Sequence, residues 1–265
     1  MAFSFVESKL TRTTIYIDGF NLYYSRLKGT PFKWLDIVEL FRQKILHVQD
    51  PGAELVKVKF FTAPVKASYA RHGDTSSQAQ TQYHRALQAR YPDLIEVING
   101  FHVFEPSMLP THQPAVDPSK SKVTAVWVIE EKQTDVNLAL HAYRDAIRGT
   151  CDQLVFCSND SDMEPALQMI RNDVPSAKIG LVVPLRGKEH GDALYANKRL
   201  TRLAHWVRHH IRDDELIASQ LPQHVPTRKK PRQQTASLVR ALTTLRQCRH
   251  GNPLPCAPRS GLVWC

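Results

Sequence analysis

Three short stretches of this 265-residue chain concentrate carboxylates at positions where side chains can do chemistry. Tyr16-Ile17-Asp18-Gly19-Phe20-Asn21 lies near the start. Glu130-Glu131-Lys132-Gln133-Thr134-Asp135-Val136-Asn137 lies in the middle, and Ser158-Asn159-Asp160-Ser161-Asp162 comes later. Asp18 and Asp160 follow apolar, strand-like runs, whereas Asp135 stands at the opening of a helix. Parallel strands of an open α/β sheet deliver their C-terminal ends to one crevice, so residues remote in sequence can converge there. Converged carboxylate oxygens suit hard divalent cations such as Mg2+ or Mn2+. Each residue taken singly also has a plainer role. Asp-Gly is turn chemistry, Asn21 could cap a helix, Asp135 could face a helix dipole, and Asp162 could cap the helix containing Pro165. Capping uses one carboxylate and the third stretch has two, so the functional reading rests on the conjunction of all three.

The elements that must position these residues alternate between strand and helix periodicity. Thr13 to Ile17 reads as a strand, Asn21 to Lys28 as a short helix, and Asp36 to Leu46 as an amphipathic helix with Asp36 as its N-cap. Leu55 to Phe61 is a second strand and Thr75 to Arg90 a helix that ends before Pro92. Leu94 to Phe104 is strand-like but interrupted at Asn99-Gly100, a turn or bulge signal. Pro106 to Ser121 is Pro-rich and polar and is expected to be a loop. Val123 to Ile129 (strand), Val136 to Arg148 (helix), Leu154 to Cys157 (buried strand), Met163 to Arg171 (helix) and Ile179 to Val183 (strand) follow. This order predicts right-handed βαβ crossovers in an α/β fold with a mostly parallel central sheet and helices on both faces.

Composition bounds the class. Hydrophobic residues make up 42% and charged residues 23%, ordinary for a globular protein, and no apolar run approaches a membrane span. No signal peptide is legible in Met1 to Thr13, so a cytoplasmic location is expected. Five cysteines without paired short spacings fit a reducing compartment rather than a disulfide framework. Cys248 with His250 lacks the partners of a zinc site, and His205, His209 and His210 lack an accompanying Glu. The net charge is +10, but eight basic residues and no acidic one follow Glu215, so the remainder is nearly neutral. Residues 1–218 are therefore expected to form the domain and 219–265 a basic, flexible extension that could add affinity for a polyanion.

YIDGFN, EEKQTDVNLA and SNDSDM, in that order on this layout, resemble the NYN domain of the PIN-like ribonuclease superfamily, in its bacterial LabA-like branch. The segments Phe32 to Asp36 and Thr62-Ala63 resemble it too, and the likeness runs from about Thr13 to Ala218. It implies a Rossmann-like PIN fold and a metal-dependent endoribonuclease acting on RNA. By motif position it implies Asp18, Asp135, Asp160 and Asp162 as ligands of Mg2+ or Mn2+. Asn21 and Ser158 join them as polar supports, Asn21 of the catalytic set and Ser158 on the substrate side. Lys132, next to the site, could contact a substrate phosphate or be a surface lysine at a helix entrance. Thr134 stands where the family has a small residue and Asn159 where it has Gly, an exchange that a left-handed Asn would tolerate. Some relatives are labelled hydroxylases of 6-hydroxy-3-succinoylpyridine, although no G-x-G-x-x-G fingerprint is present to support redox chemistry. A non-catalytic RNA-binding module is a further alternative, and self-association is left open.

Overall fold

The computed structural model describes residues 10–70, 72–186 and 195–226, together with the backbone of Arg232 and Gln233. β1 (Thr11–Asp18) runs into a single α-turn, α1 (Gly19–Leu22), which widens to π-type geometry over Tyr23–Leu27. The next helix begins as α2 (Ile37–Glu39), also widens over Leu40–Leu46, and closes as α3 (His47–Gln49). Asp36 caps it as expected, its carboxylate accepting from Glu39 N at 3.0 Å. β2 (Ala53–Thr62), α4 (Asp74–Arg90) and β3 (Ile95–Asn99) follow. Then come β4 (Phe101–Pro110), β5 (Val123–Lys132), α5 (Thr134–Ile147), β6 (Gln153–Cys157) and α6 (Glu164–Asp173). The last elements are β7 (Lys178–Val182), α7 (Lys198–Leu203), β8 (Trp206–Arg208), α8 (Asp213–Ala218), β9 (His224–Val225) and β10 (Arg232–Gln233).

Six strands form one sheet in the order β3-β2-β1-β6-β7-β8, and every neighbouring pair is parallel. Successive side chains of a strand point to opposite faces, which sorts the core into two layers. Ile15, Ile17, Val155 and Cys157 pack with the α2–α3 helix and α4 on one face. Tyr16, Leu154, Phe156, Ile179 and Leu181 pack with α5, α6 and α7 on the other. Both faces of the sheet are thereby covered, as an all-parallel sheet requires.

Three expectations are corrected. The Leu94 to Phe104 run belongs to two different sheets: β3 closes one edge of the parallel sheet, and after Gly100 the chain leaves it as β4. The strand expected at Val123 to Ile129 exists as β5 but pairs antiparallel with β4 in a separate two-stranded ribbon. The first five residues of the Pro106 to Ser121 loop are also strand, because β4 continues to Pro110 opposite Val123. Half of the N–H groups in a two-stranded ribbon have no partner strand, so the donors that proline lacks need not be missed there.

Among the described residues no helix is long and apolar enough to cross a membrane. Residues just beyond 218 pack on the domain. Leu221 and Val225 are 4% and 2% exposed, and Trp34 Nε1 donates to Pro222 O at 3.0 Å. The Cys248 and His250 pairing lies outside the described residues. The domain boundary is accordingly proposed to fall after β10. A chain ending at Gln234 is expected to melt at the full-length temperature by circular dichroism. One ending at Ala218 should lose several kcal/mol, since each buried Leu or Val contributes about 1.5–3 kcal/mol.

Candidate active site

Strand order reverses on either side of the β1/β6 pair, which makes the crevice beyond their C-terminal ends the topological switch point. The register pairs Ile17 with Cys157, so the next residues, Asp18 and Ser158, emerge side by side. Ser158 Oγ donates to Asp18 Oδ2 at 3.0 Å, and the backbone N of Asn21 donates to Asp18 Oδ1 at 2.9 Å. Asp18 is only 4% exposed, so these two bonds fix a carboxylate that has little water around it. Gly19 is obligatory beside it, because a Cβ there would stand 2.6 Å from Phe61 O.

The third stretch is tied to the first by further hydrogen bonds. The Asn159 backbone N donates to Asn21 Oδ1 at 3.1 Å, and Asp160 N donates to Ser158 Oγ at 3.1 Å. Asn21 is thus a brace between two loops. Asp160, rather than Asp162, is the cap of the following turn, accepting from Asp162 N at 3.0 Å. Asn159 does not use the left-handed backbone that its place in the motif suggests. Its side chain instead binds the neighbouring segment, donating to Tyr195 O at 3.1 Å and accepting from Asn197 N at 2.7 Å.

Asp135 arrives from outside the parallel sheet, in the first turn of α5 and directly after the ribbon. Two features turn the chain there. Gln133 is left-handed at φ 79°, and a Cβ on Gly100 would overlap Lys132 O at the base of the ribbon. Gln133 gives α5 no side-chain cap. Glu131 takes that part, its Oε1 accepting from Thr134 N at 3.1 Å and from the Thr134 hydroxyl. Glu131 is the site residue that motif matching passed over; the signal was its place three residues before Thr134, the reach of a capping side chain. Lys132 is exposed and pairs with Glu130 on the ribbon.

Electrostatics links the three stretches. Burial, reinforced by the charges of Asp135 and Asp160, pushes the Asp18 carboxyl up to about 6, against the opposing hydrogen bonds from Asn21 and Ser158. Burial likewise pushes Asp135 up to about 6, with Asp160, Glu131 and Asp162 adding repulsion. The charge of Asp160 thus bears on both raised carboxyls, that of Asp135 on Asp18, and that of Asp162 on Asp135. Among the described residues, no three His, Cys, Asp or Glu side chains stand close enough to hold an ion by themselves. The chemistry of these side chains is nonetheless of the kind hard divalent cations take. They present carboxylate oxygens, Asp18 keeps lone pairs beyond its two hydrogen bonds, and such ions retain several waters. The histidines near the C-terminal side are structural where their contacts are defined: His205 Nδ1 accepts from Ile179 N at 2.9 Å.

The NYN domain family model matches residues 12–176, and the chain belongs to this family, within the PIN-like nuclease superfamily. PIN-like nuclease domains generally use divalent metals. Over 238 residues the chain is 42% identical to 6-hydroxy-3-succinoylpyridine 3-monooxygenase HspA of Pseudomonas putida (strain DSM 28022 / S16), covering 84% of this chain and 74% of that protein. A solved structure of a protein of unknown function, VPA0982 from Vibrio parahaemolyticus RIMD 2210633, aligns over 81% of this chain and 98% of its own. The TM-score is 0.42 and the identity 16%.

Two outcomes follow from this geometry. Asp135 is raised from 3.8 to about 6 in the fold, so the folded state binds more protons between those values and stability falls as pH rises through that window. In metal-free protein, Asp135→Asn should flatten that fall and leave the melting temperature at pH 7 unchanged or higher. Gln133→Val forces a β-branched residue into the left-handed region and should lower stability by roughly 1–2 kcal/mol in urea titration, whereas Gln133→Gly should be tolerated.

Proposed function

We propose that this protein is a metal-dependent endoribonuclease whose ion is held by Asp18, Asp135 and Asp160, with Asp162 at the rim. The observation that supports it is that burial, with neighbouring carboxylates adding repulsion, raises both Asp18 and Asp135 at the β1/β6 switch point. Buried carboxylates that repel one another raise folding cost unless a cation neutralises them. When bound, Mg2+ or Mn2+ supplies Lewis-acid polarisation of a phosphodiester and makes water acidic enough to attack near neutral pH.

The chain's own residues do the positioning. Ser158 and the Asn21 backbone hold the Asp18 carboxylate in one orientation, and the Asn21 side chain locks the loop bearing Asp160 against it. Glu131 fixes the first turn of α5 and so the direction from which Asp135 approaches. Lys132, at the ribbon base, is assigned to a phosphate of the substrate outside the cleaved bond, exchanging its Glu130 partner for it. RNA is preferred as substrate because NYN nucleases act on RNA.

The 42% identity to a protein named as a 6-hydroxy-3-succinoylpyridine 3-monooxygenase favours a second reading, a related hydroxylation. The NYN domain and the lack of a dinucleotide fingerprint weigh against it. One preparation separates the two. With labelled RNA and DNA in Mg2+, Mn2+ or EDTA, RNA cleavage is expected in either metal and none in EDTA, and Asp135→Asn should lower the rate at least roughly 100-fold. Hydroxylation of 6-hydroxy-3-succinoylpyridine with NADH consumption, and no cleavage in any metal, would refute the nuclease reading.

A further inference from the structure

The β4–β5 ribbon stands apart from the parallel sheet, and its exposed surface is unusually apolar. Trp127 and Met108 are each 64% exposed, and Leu109, Val123 and Val126 are exposed as well. One face of the ribbon pairs Pro106 with Trp127 and Met108 with Ala125, an uncharged row. Such patches on a protein surface mark contact sites.

The two long edges of the ribbon differ. β4 contains Glu105, Pro106 and Pro110, so it offers a charge and two gaps in its row of donors. β5 contains Val123 to Ile129, seven consecutive uncharged and mostly β-branched or aromatic residues. Among the described residues no second strand pairs with β5. Long uncharged edges invite another strand, and the protein blunts one edge only.

The geometry points to a second copy of this chain as the partner of β5, joined antiparallel across a two-fold axis through Val126. An isologous contact sets each residue against a fixed counterpart in the other copy. With the axis at Val126, Ala125 meets Trp127 of the second copy, Thr124 meets Val128, and Val123 meets Ile129. No charge falls within the run Val123 to Ile129. One step beyond the run, Lys122 meets Glu130 of the second copy, and the symmetric pair repeats at the other end, so the charges immediately flanking the uncharged run are complementary in this register. The apolar row becomes continuous, Pro106–Trp127 of one copy extending into Ala125–Met108 of the other. The product is a four-stranded antiparallel sheet, β4-β5-β5-β4, in which Trp127 of each copy lies beside Ala125 of the other. This contact is independent of which reaction the site performs.

Because the axis passes through Val126, that residue faces its own copy, and a charge-swap experiment reads the register directly. The wild-type chain should sediment as a dimer at micromolar concentration. Val126→Lys and Val126→Glu place like charges on the axis and should each sediment at half that mass. Their melting by circular dichroism should be retained, since the ribbon lies outside both cores. An equimolar mixture of the two should return to dimer mass. A wild-type monomer at about 50 μM, dimers of either charged variant alone, or a mixture that stays monomeric would each overturn the proposal. Monomeric wild-type protein that loses RNA affinity on Trp127→Ala would overturn it in favour of a nucleic-acid surface on the same face.

Discussion

The pairing of β1 with β6 at the reversal of strand order is the constraint on which the site depends. Registering Ile17 against Cys157 sends Asp18 and Ser158 out of the sheet together, and the Ser158 hydroxyl then meets the Asp18 carboxylate. The two apolar layers fix that register. A slip of one residue would turn Ile15 and Ile17 toward the α5 face and Tyr16 away from it, exchanging both cores at once. Tyr16 resists this further, because its hydroxyl donates to Asp145 Oδ2 at 2.8 Å, and Lys59 Nζ binds the same oxygen at 2.5 Å. A buried ion pair of this kind is weak evidence for stability, but breaking one partner leaves an uncompensated charge and so penalises any other register.

Asp135 is held by a different device. Its carboxylate reaches the crevice because the ribbon ends at a left-handed Gln133 and passes within contact of Gly100, where no side chain fits. Local strain at Gln133 and a missing N-cap are offset by Glu131, which bonds the first turn of α5. Strained backbone that persists beside clustered carboxylates is typical of places where orientation matters more than local stability. The ribbon therefore links two parts of the molecule: its base orients a site residue, and its far edge is the surface assigned to a second copy.

The parallel sheet was legible because its strands are short apolar runs bounded by clear helical periodicity, as at Leu154 to Cys157 and Ile179 to Val183. Convergence of Asp18 with Ser158 and Asp160 was legible for the same reason, since strand ends of a parallel sheet share one crevice. The ribbon was harder to read. Val123 to Ile129 has the composition of a buried strand, and periodicity alone cannot say which sheet a strand joins. Pro106 and Pro110 read as loop residues because the tolerance of a two-stranded edge for proline appears only once the pairing is known. Asn159 showed the opposite failure. Its position suggested backbone freedom, whereas its side chain supplies two long-range hydrogen bonds that no local pattern announces.

The central claim is that Asp18 and Asp135 share a crevice in which each resists ionisation until a dication arrives. Side-chain carboxyl 13C shifts followed through a pH titration test it most directly, first without metal and then with Mg2+. The account predicts two aspartates with midpoints near 6 in metal-free protein, both moving downward when Mg2+ is added. Ordinary midpoints near 4 for both residues, unmoved by Mg2+, would contradict it.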